Sequence, residues 1–433
     1  MSDSAQPQLV RAIDRWTLAA LVVNSIIGSG IFGLPDDIAR LLGPAAPFAY
    51  LIAAAGIGII MACFAEVGSQ FREAGGPYLY ARETFGQFAG VQMGWFAWLV
   101  RLTSAAANAN VFVLYLGEFW KGATSPAPRA FILTLVFAVL AVVNVRGVRA
   151  GAQLSNFFTV AKLTPLAIFV AAGFYFVGGK ISVGASPAGM KSWMAAVLAL
   201  IFAYGGFEAA LMPMGEVKNP RRDTPFALFM ALGVCATFYS LIHLVVMGAL
   251  ADPGASERPL ADAARVFLGD AGAGLIALGA MVSTYGYLSG QFVSAPRLTY
   301  AFAERRDFPP WFAAVHPKFR TPYISILVYT VLAMALAIYG SFIWNAILSS
   351  VARLFTYALV CAALIRLRIA RPHADAFRLP AGWLFALVGI AFSAVMVAQM
   401  NRDHLKIVIA VAVIALVNWL IARRGVQSVP SES

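Results

Sequence analysis

Long apolar runs follow one another along almost the whole chain and are separated by short polar segments. A helix needs about 20 consecutive, mostly apolar residues to cross the hydrocarbon core of a bilayer. The pattern therefore predicts an all-α integral membrane protein with about twelve transmembrane helices, which we call spans 1 to 12. Their expected bounds are residues 16–35, 45–70, 87–117, 129–145, 151–178, 193–215, 224–250, 272–303, 321–340, 342–368, 380–400 and 405–422.

Small residues interrupt the apolar pattern of spans 1 and 6. Span 1 contains LVVNSIIGSGIFGLP, in which the interrupting residues are Gly28, Ser29, Gly30 and Gly33. Span 6 contains LIFAYGGFEAALMPMGEVKNP, in which they are Gly205, Gly206 and Pro213. A helix unwound at bilayer depth leaves backbone N–H and C=O groups without partners, which is tolerated only where they are buried in protein or line a cavity. Two such breaks in corresponding positions of two halves indicate a transporter's binding site.

The positions of the breaks also predict how the chain is organised. Spans 1 and 6 each begin a run of five helices, so we expect a single transmembrane domain over residues 1–433. Its first repeat covers about 16–178, its second about 193–368, and two additional helices follow at about 380–422. Because five is an odd number of crossings, the second repeat must be inverted in the membrane.

Composition agrees with lipid as the surrounding solvent. Hydrophobic residues make up 61% of the chain and charged residues only 12%, which is too apolar for a soluble protein of 433 residues. The net charge of +12 does not indicate nucleic acid, because 19 of the 32 Lys and Arg residues lie in segments predicted to be cytoplasmic and nine in external ones. This asymmetry predicts a multi-pass protein of the inner (plasma) membrane with both termini in the cytoplasm.

Neither catalytic nor metal chemistry is indicated. Cys63, Cys235 and Cys361 lie in separate apolar spans without metal-ligand spacing, and the four histidines are scattered. We therefore expect no enzyme activity, no metal and no cofactor, and the lipid bilayer and a small molecule as the partners. A membrane enzyme, a receptor and a passive channel are the disfavoured alternatives.

Four motifs in the same order resemble those of the amino acid–polyamine–organocation (APC) superfamily of transporters. They are IIGSGIFGLP in span 1, EVGSQFREAGGPYLYARETFG after span 2, FAYGGFEAALMPMGEVKNPRRDTP from span 6, and LSGQFVSAPRLTYAFAERRDFPPWFAAVHPKFRTPYIS from span 8. The resemblance implies a LeuT-like fold of inverted five-helix repeats that works by alternating access. Two departures are the RRDFP loop, where many members carry glycine after the acid, and Arg101 within span 3.

The break in span 1 is the expected site for a substrate carboxylate. A half-helix N-terminus carries partial positive charge and points backbone N–H groups at an anion. The alternative is close helix packing, which small residues also serve. The residues expected to bind the carboxylate are Ile27, Gly28, Ser29, Gly30 and Ile31.

The break in span 6 is the expected site for a substrate ammonium group. The resemblance implies that unwound carbonyls bind the amine, and that an aromatic ring, Phe202 or Phe207, closes over the ligand. Lipid or core packing is the alternative for either ring, since the chain has 32 Phe. The carbonyls concerned belong to Phe202, Ala203, Tyr204 and Gly205.

Two ionisable residues within spans are candidates for proton coupling. Lys162 in span 5 resembles a lysine of proton-coupled and exchanging members of the superfamily, where its charge replaces a sodium ion between helices 1 and 8. Glu208 in span 6 lies near the bilayer midplane, where ionisable residues are functional candidates. The alternatives are a snorkelling lysine and a neutral acid that caps loose backbone at the break.

Four further polar residues in spans have open roles. Arg101 and Arg353 are expected to pair with structural carboxylates, such as Glu118 or Glu208 for Arg101, and contact with an anionic substrate group is the alternative. Ser283 and Thr284 in span 8 are possible partners of Lys162 or of substrate, although hydroxyls in membrane helices more often bond their own backbone.

These observations predict a secondary active transporter for amino acids or related amines, driven by proton symport. An exchanger not driven by protons is the alternative. The side chain of the substrate is not determined, because spans 3, 8 and 10 would form that part of the pocket.

Overall fold

The computed structural model describes residues 13–71, 75–147, 152–179, 181, 183–185, 187–212, 214–372 and 376–427. Pro213 of the second break lies outside them. The α-helices are α1 (Arg15–Ile26), α2 (Gly30–Gly33), α3 (Pro35–Leu42), α4 (Ala46–Ser69), α5 (Gly76–Phe85), α6 (Gln87–Leu116), α7 (Pro126–Arg146), α8 (Ala152–Val177), α9 (Met190–Tyr204), α10 (Phe207–Ala210), α11 (Pro220–Ala249), α12 (Pro259–Glu304), α13 (Tyr323–Tyr339), α14 (Phe342–Ala370), α15 (Gly382–Val397) and α16 (Arg402–Gln427).

The prediction of an all-helical membrane protein is confirmed. Over the described parts of the chain, nine helical segments are long and apolar enough to cross a membrane. Three shorter apolar helices, Ala161–Val177, Tyr323–Tyr339 and Gly382–Val397, correspond to the remaining predicted spans. The repeat bounds at 16–178 and 193–368 stay a prediction.

Local sequence sets where several helices begin and end. The Asp14 carboxylate accepts hydrogen bonds from the backbone N–H groups of Trp16 and Thr17 and caps α1. Gly86 separates α5 from α6 with a φ of +86°, which favours glycine. Gly269, with a φ of +67°, interrupts the 46-residue α12, so that a short helix precedes the long apolar part.

Burial separates central helices from peripheral ones. Most of α6 is buried, whereas α7 and α16 carry many exposed apolar side chains. On α7 the exposed residues Phe131, Leu135, Val139 and Val143 recur at helical spacing and form one apolar stripe. An exposed apolar stripe of this length requires lipid, so α7 lies at the periphery of the bundle and α6 at its centre.

A buried ion pair joins α4, α14 and the segment before α15. Glu66 is fully buried and accepts a hydrogen bond from Nε of Arg368 at 2.8 Å. A second oxygen of the same carboxylate accepts the backbone N–H of Leu379 at 2.9 Å. Because the carboxylate is fully buried and the Arg368 side chain is only 14% exposed, removal of the carboxylate leaves a largely buried guanidinium without its counter-charge.

We expect Glu66→Ala to lower the apparent melting temperature in detergent by roughly 5–10 °C, since breaking a buried pair costs several kcal/mol. The matched control is Asp403→Ala, which removes an exposed partner of Lys406 and is expected to change little. Equal effects of the two substitutions would contradict the structural role of Glu66.

Candidate substrate-binding site

Both predicted helix breaks are present. α1 ends at Ile26 and α2 begins at Gly30, while α9 ends at Tyr204 and α10 begins at Phe207. Gly206 has a φ of +112°, a conformation that L side chains rarely adopt. Spans 1 and 6 are therefore discontinuous helices, as the glycine pattern predicts.

The two breaks touch each other backbone to backbone. A Cβ added at Gly30 would lie 2.8 Å from Cα of Ala203, and one added at Gly206 would overlap the carbonyl oxygen of Ser25. Only glycine allows this approach at both crossings. The small residues of the breaks thus serve close packing as well as unwinding.

Side chains from other helices satisfy the backbone groups that the first break releases. Asn108 of α6 accepts the N–H of Ser29 at 3.1 Å. Nζ of Lys162, a buried side chain of α8, donates to the carbonyls of Asn24 at 2.7 Å and Ile27 at 2.8 Å. An ammonium group here stabilises the negative end of α1.

The second break is held by a carboxylate of its own. Glu208 accepts the N–H of Gly206 at 2.9 Å, Nε of Arg353 at 2.9 Å and the hydroxyl of Tyr357 at 3.0 Å. The Arg353 side chain is only 3% exposed, and its Nη1 lies against Gly205 without a hydrogen-bond partner among the described residues. Arg353 of α14 therefore fixes the unwound part of span 6 through Glu208.

A cavity of about 550 Å³ opens beside the breaks. Its wall includes Asn24, Ser25 and Gly206 from the two broken helices, and α6, α8, α12 and α14 complete it. It extends to Pro77 and Tyr78 of α5, on the side predicted to be cytoplasmic. The volume is in the range of small-molecule sites.

The opposite side of the breaks is filled by apolar contacts. Phe342 packs edge-on against Phe202 at 5.9 Å between ring centroids and lies against Gly33, where a Cβ would come within 2.6 Å of it. The cavity thus reaches the breaks from the α5 side, and Phe342 fills the opposite side.

A polar cluster surrounds Tyr78, which lines the cavity. The hydroxyl of Tyr78 donates to the buried carboxylate of Asp307, which also lies 3.4 Å from Nε of Arg82. Burial, and then the hydrogen bond to Asp307, raise the pKa of Tyr78 well above its usual value. The hydroxyl therefore stays a donor at any physiological pH and ties α5 to the segment that follows α12.

The predicted binding residues lie at the junction but behind the cavity wall. Ile27–Ile31 and Phe202–Gly205 are buried, and their neighbours Asn24, Ser25 and Gly206 form the wall instead. Phe207 packs against Phe64 and Tyr357, at 5.1 and 5.3 Å between ring centroids. In this conformation, neither Phe202 nor Phe207 reaches the cavity.

Ser283 and Thr284, the two polar candidates in span 8, differ in their contacts. The Thr284 hydroxyl bonds the carbonyls of Ala280 and Met281 within its own helix. Ser283, by contrast, lines the cavity with Lys162, and its hydroxyl has no partner in the described structure. Of the two, Ser283 is therefore the one available to a ligand.

Arg101 lies in the cavity wall, and its expected pairing with Glu118 or Glu208 is not observed. Its Nη1 donates to Oε1 of Gln291 at 3.1 Å and to Oγ of Ser294 at 3.2 Å. Glu118 pairs with Arg265 elsewhere. Sequence reasoning missed both α12 partners, although they continue a polar stripe of helical period: Ser283, Tyr287, Gln291 and Ser294.

The described residues hold no group of three or more side chains able to bind a metal ion. Backbone groups, hydroxyls, side-chain amides, two guanidinium groups, the Lys162 ammonium and the Glu208 carboxylate provide the polar chemistry of the cavity among the described residues. Such groups bind and orient a small polar molecule.

Comparison with known proteins identifies the class. A family model described as "Amino acid permease" matches residues 13–418, and the chain belongs to this family, within the APC superfamily. Like the family, the protein is a multi-pass membrane transporter and not an enzyme.

Three relatives illustrate the range of the family. The methylthioribose transporter of Bacillus subtilis (strain 168) is 27% identical over 88% of this chain and 86% of its own. The serine/threonine exchanger SteT of the same species is 32% identical over 72% and 73%. The vacuolar cationic amino acid transporter 4 of Arabidopsis thaliana is 26% identical over 84% of this chain and 64% of its own length. The substrates named for these three relatives differ.

We expect Gly206→Ala to abolish transport and to lower the melting temperature, because the new Cβ would overlap the Ser25 carbonyl at a positive φ. Gly233→Ala is the matched control, since nothing lies within 4 Å of a Cβ there. Uptake by reconstituted protein and thermal unfolding in detergent measure both effects. Normal uptake by Gly206→Ala would show that the close crossing is dispensable.

Proposed function

We propose that the protein is a secondary active transporter of amino acids or related amines, and that it works by proton symport and alternating access in the plasma membrane, with both termini cytoplasmic. The substrate carboxylate binds at the amides of Gly28–Ile31 and its ammonium at the carbonyls of Phe202–Gly205. The contact of both breaks with one cavity supports this location. Because these residues lie behind the wall in the present conformation, substrate entry requires a small separation of the crossing.

The observation that carries proton coupling is the position of Lys162. Its ammonium bridges two carbonyls at the end of α1, so its charge acts on the same break that binds substrate. Loss of the proton removes the attraction and frees α1 to move. Substrate entry requires the same break to open, so the proton on Lys162 and the substrate act on one movement of α1, and this linkage is what coupled transport requires.

Exchange is the second candidate function. It is supported by the 32% identity to a protein described as a serine/threonine exchanger. An exchanger needs a loaded carrier to return, whereas a symporter returns empty. The Glu208–Arg353 pair, which stabilises span 6 without a ligand, favours the empty return and hence symport.

The deciding experiment is uptake into proteoliposomes across a panel of amino acids and amines, with and without an inward proton gradient. Symport predicts accumulation under the gradient from empty vesicles. Exchange predicts uptake only into vesicles preloaded with substrate and independent of the gradient. If no panel member moved under either condition, the proposed function would be wrong.

For the variant Lys162→Gln, we expect gradient-driven uptake to be lost while counterflow between equal substrate pools continues, because the neutral amide cannot carry the coupling proton. Lys406→Gln, at an exposed position, is the control and should behave like the native protein. Gradient-driven accumulation by Lys162→Gln at the native rate would exclude Lys162 from coupling.

A further inference from the structure

The cavity wall carries an excess of positive charge. Its described lining contains three cationic side chains, Arg101, Lys162 and Arg353, and one acidic side chain, Glu208. Two of the cations have strong local partners: Arg353 has the Glu208 carboxylate, and Lys162 has two backbone carbonyls. Arg101 is the exception.

Arg101 is a buried guanidinium whose observed side-chain partners are neutral. The residue is 8% exposed, and its Nη1 is held by the amide of Gln291 and the hydroxyl of Ser294. No ion pair between Arg101 and an acidic residue occurs in the described part of the chain. A charge removed from water without a counter-charge is costly, so the site favours an anion brought by the ligand.

Arg101 is aligned with the helix breaks along one face of α6. Asn108, which holds Ser29 of the first break, lies seven residues further along, and Ser104 between them accepts from Nη2 of Arg353 at 3.3 Å. Seven residues correspond to about 10 Å of helix rise. A ligand bound at the breaks by its amino acid backbone can therefore extend its side chain toward the Arg101 guanidinium.

We propose that Arg101, positioned by Gln291 and Ser294, is the subsite for a side-chain carboxylate, and that the substrates are acidic amino acids. The inference rests on the proposed function, since the breaks must hold the amino acid backbone. A guanidinium forms two parallel hydrogen bonds with a carboxylate, which neither a neutral nor a cationic side chain can accept equally well. Basic amino acids and polyamines are repelled by the same charge.

The competing explanation is that Arg101 only fastens α12 to α6 through Gln291 and Ser294. In that case its replacement would slow transport of every substrate alike. A loss confined to acidic substrates would show that Arg101 binds the substrate and does not only connect α12 to α6.

The test compares uptake of L-glutamate, L-glutamine, L-serine and L-arginine by reconstituted protein. We expect the native protein to take up glutamate with a kcat/KM about 10- to 100-fold above that of glutamine, the range given by one charged hydrogen-bonded pair. Arg101→Gln should remove this preference, mainly through KM for glutamate. Arg101→Lys keeps the positive charge but cannot form the two parallel hydrogen bonds, so it should retain part of the preference for glutamate.

A second variant keeps the test independent of folding defects at Arg101. Gln291→Glu places a fixed carboxylate beside the guanidinium and should raise KM for glutamate far more than KM for glutamine. Arg402→Gln, at an exposed arginine of α16, is the matched control and should retain the native preference.

The outcomes distinguish failure of the proposed acidic subsite from failure of the proposed transporter function. Native uptake of neutral amino acids in preference to glutamate, or an equal loss for all substrates in Arg101→Gln, would overturn the acidic subsite and leave the transporter function standing. Absence of uptake for every compound, under a proton gradient and with preloading, would overturn both.

Discussion

The contact between the two interrupted helices is the constraint on which the rest of the structure depends. Gly30 lies against the Ala203 backbone and Gly206 against the Ser25 carbonyl, so the polar groups of two unwound segments meet deep in an apolar bundle. Backbone polar groups at that depth must find partners within the protein. The surrounding helices are placed so that they provide them.

Those partners come from helices far apart in sequence. Asn108 reaches the first break from α6, Lys162 from α8, and Tyr239 of α11 donates to the Ala203 carbonyl of the second break. Each bond ties a different helix to the crossing. A movement that separates the breaks must therefore exchange several hydrogen bonds at once, which favours two discrete arrangements over a continuous range.

Charge is distributed unequally between the two breaks and the cavity. The second break is neutralised locally by Glu208 and Arg353, and the first receives a single ammonium group from Lys162. Further along α6, Arg101 has only neutral side-chain partners. The second break is thus electrostatically balanced within the protein, whereas Arg101 has no acidic partner among the described residues.

The sequence alone determined the membrane-spanning helices, because about twenty apolar residues in a row have no other stable environment than lipid or a protein core. It also located both discontinuities, since glycine and proline within such a run are locally readable. It did not determine which groups line the cavity: Phe207 packs against Phe64 outside the cavity wall, and Arg101 pairs with Gln291 and not with Glu118. Those choices depend on the rotation of each helix and on contacts between residues up to about two hundred positions apart, which only tertiary packing fixes.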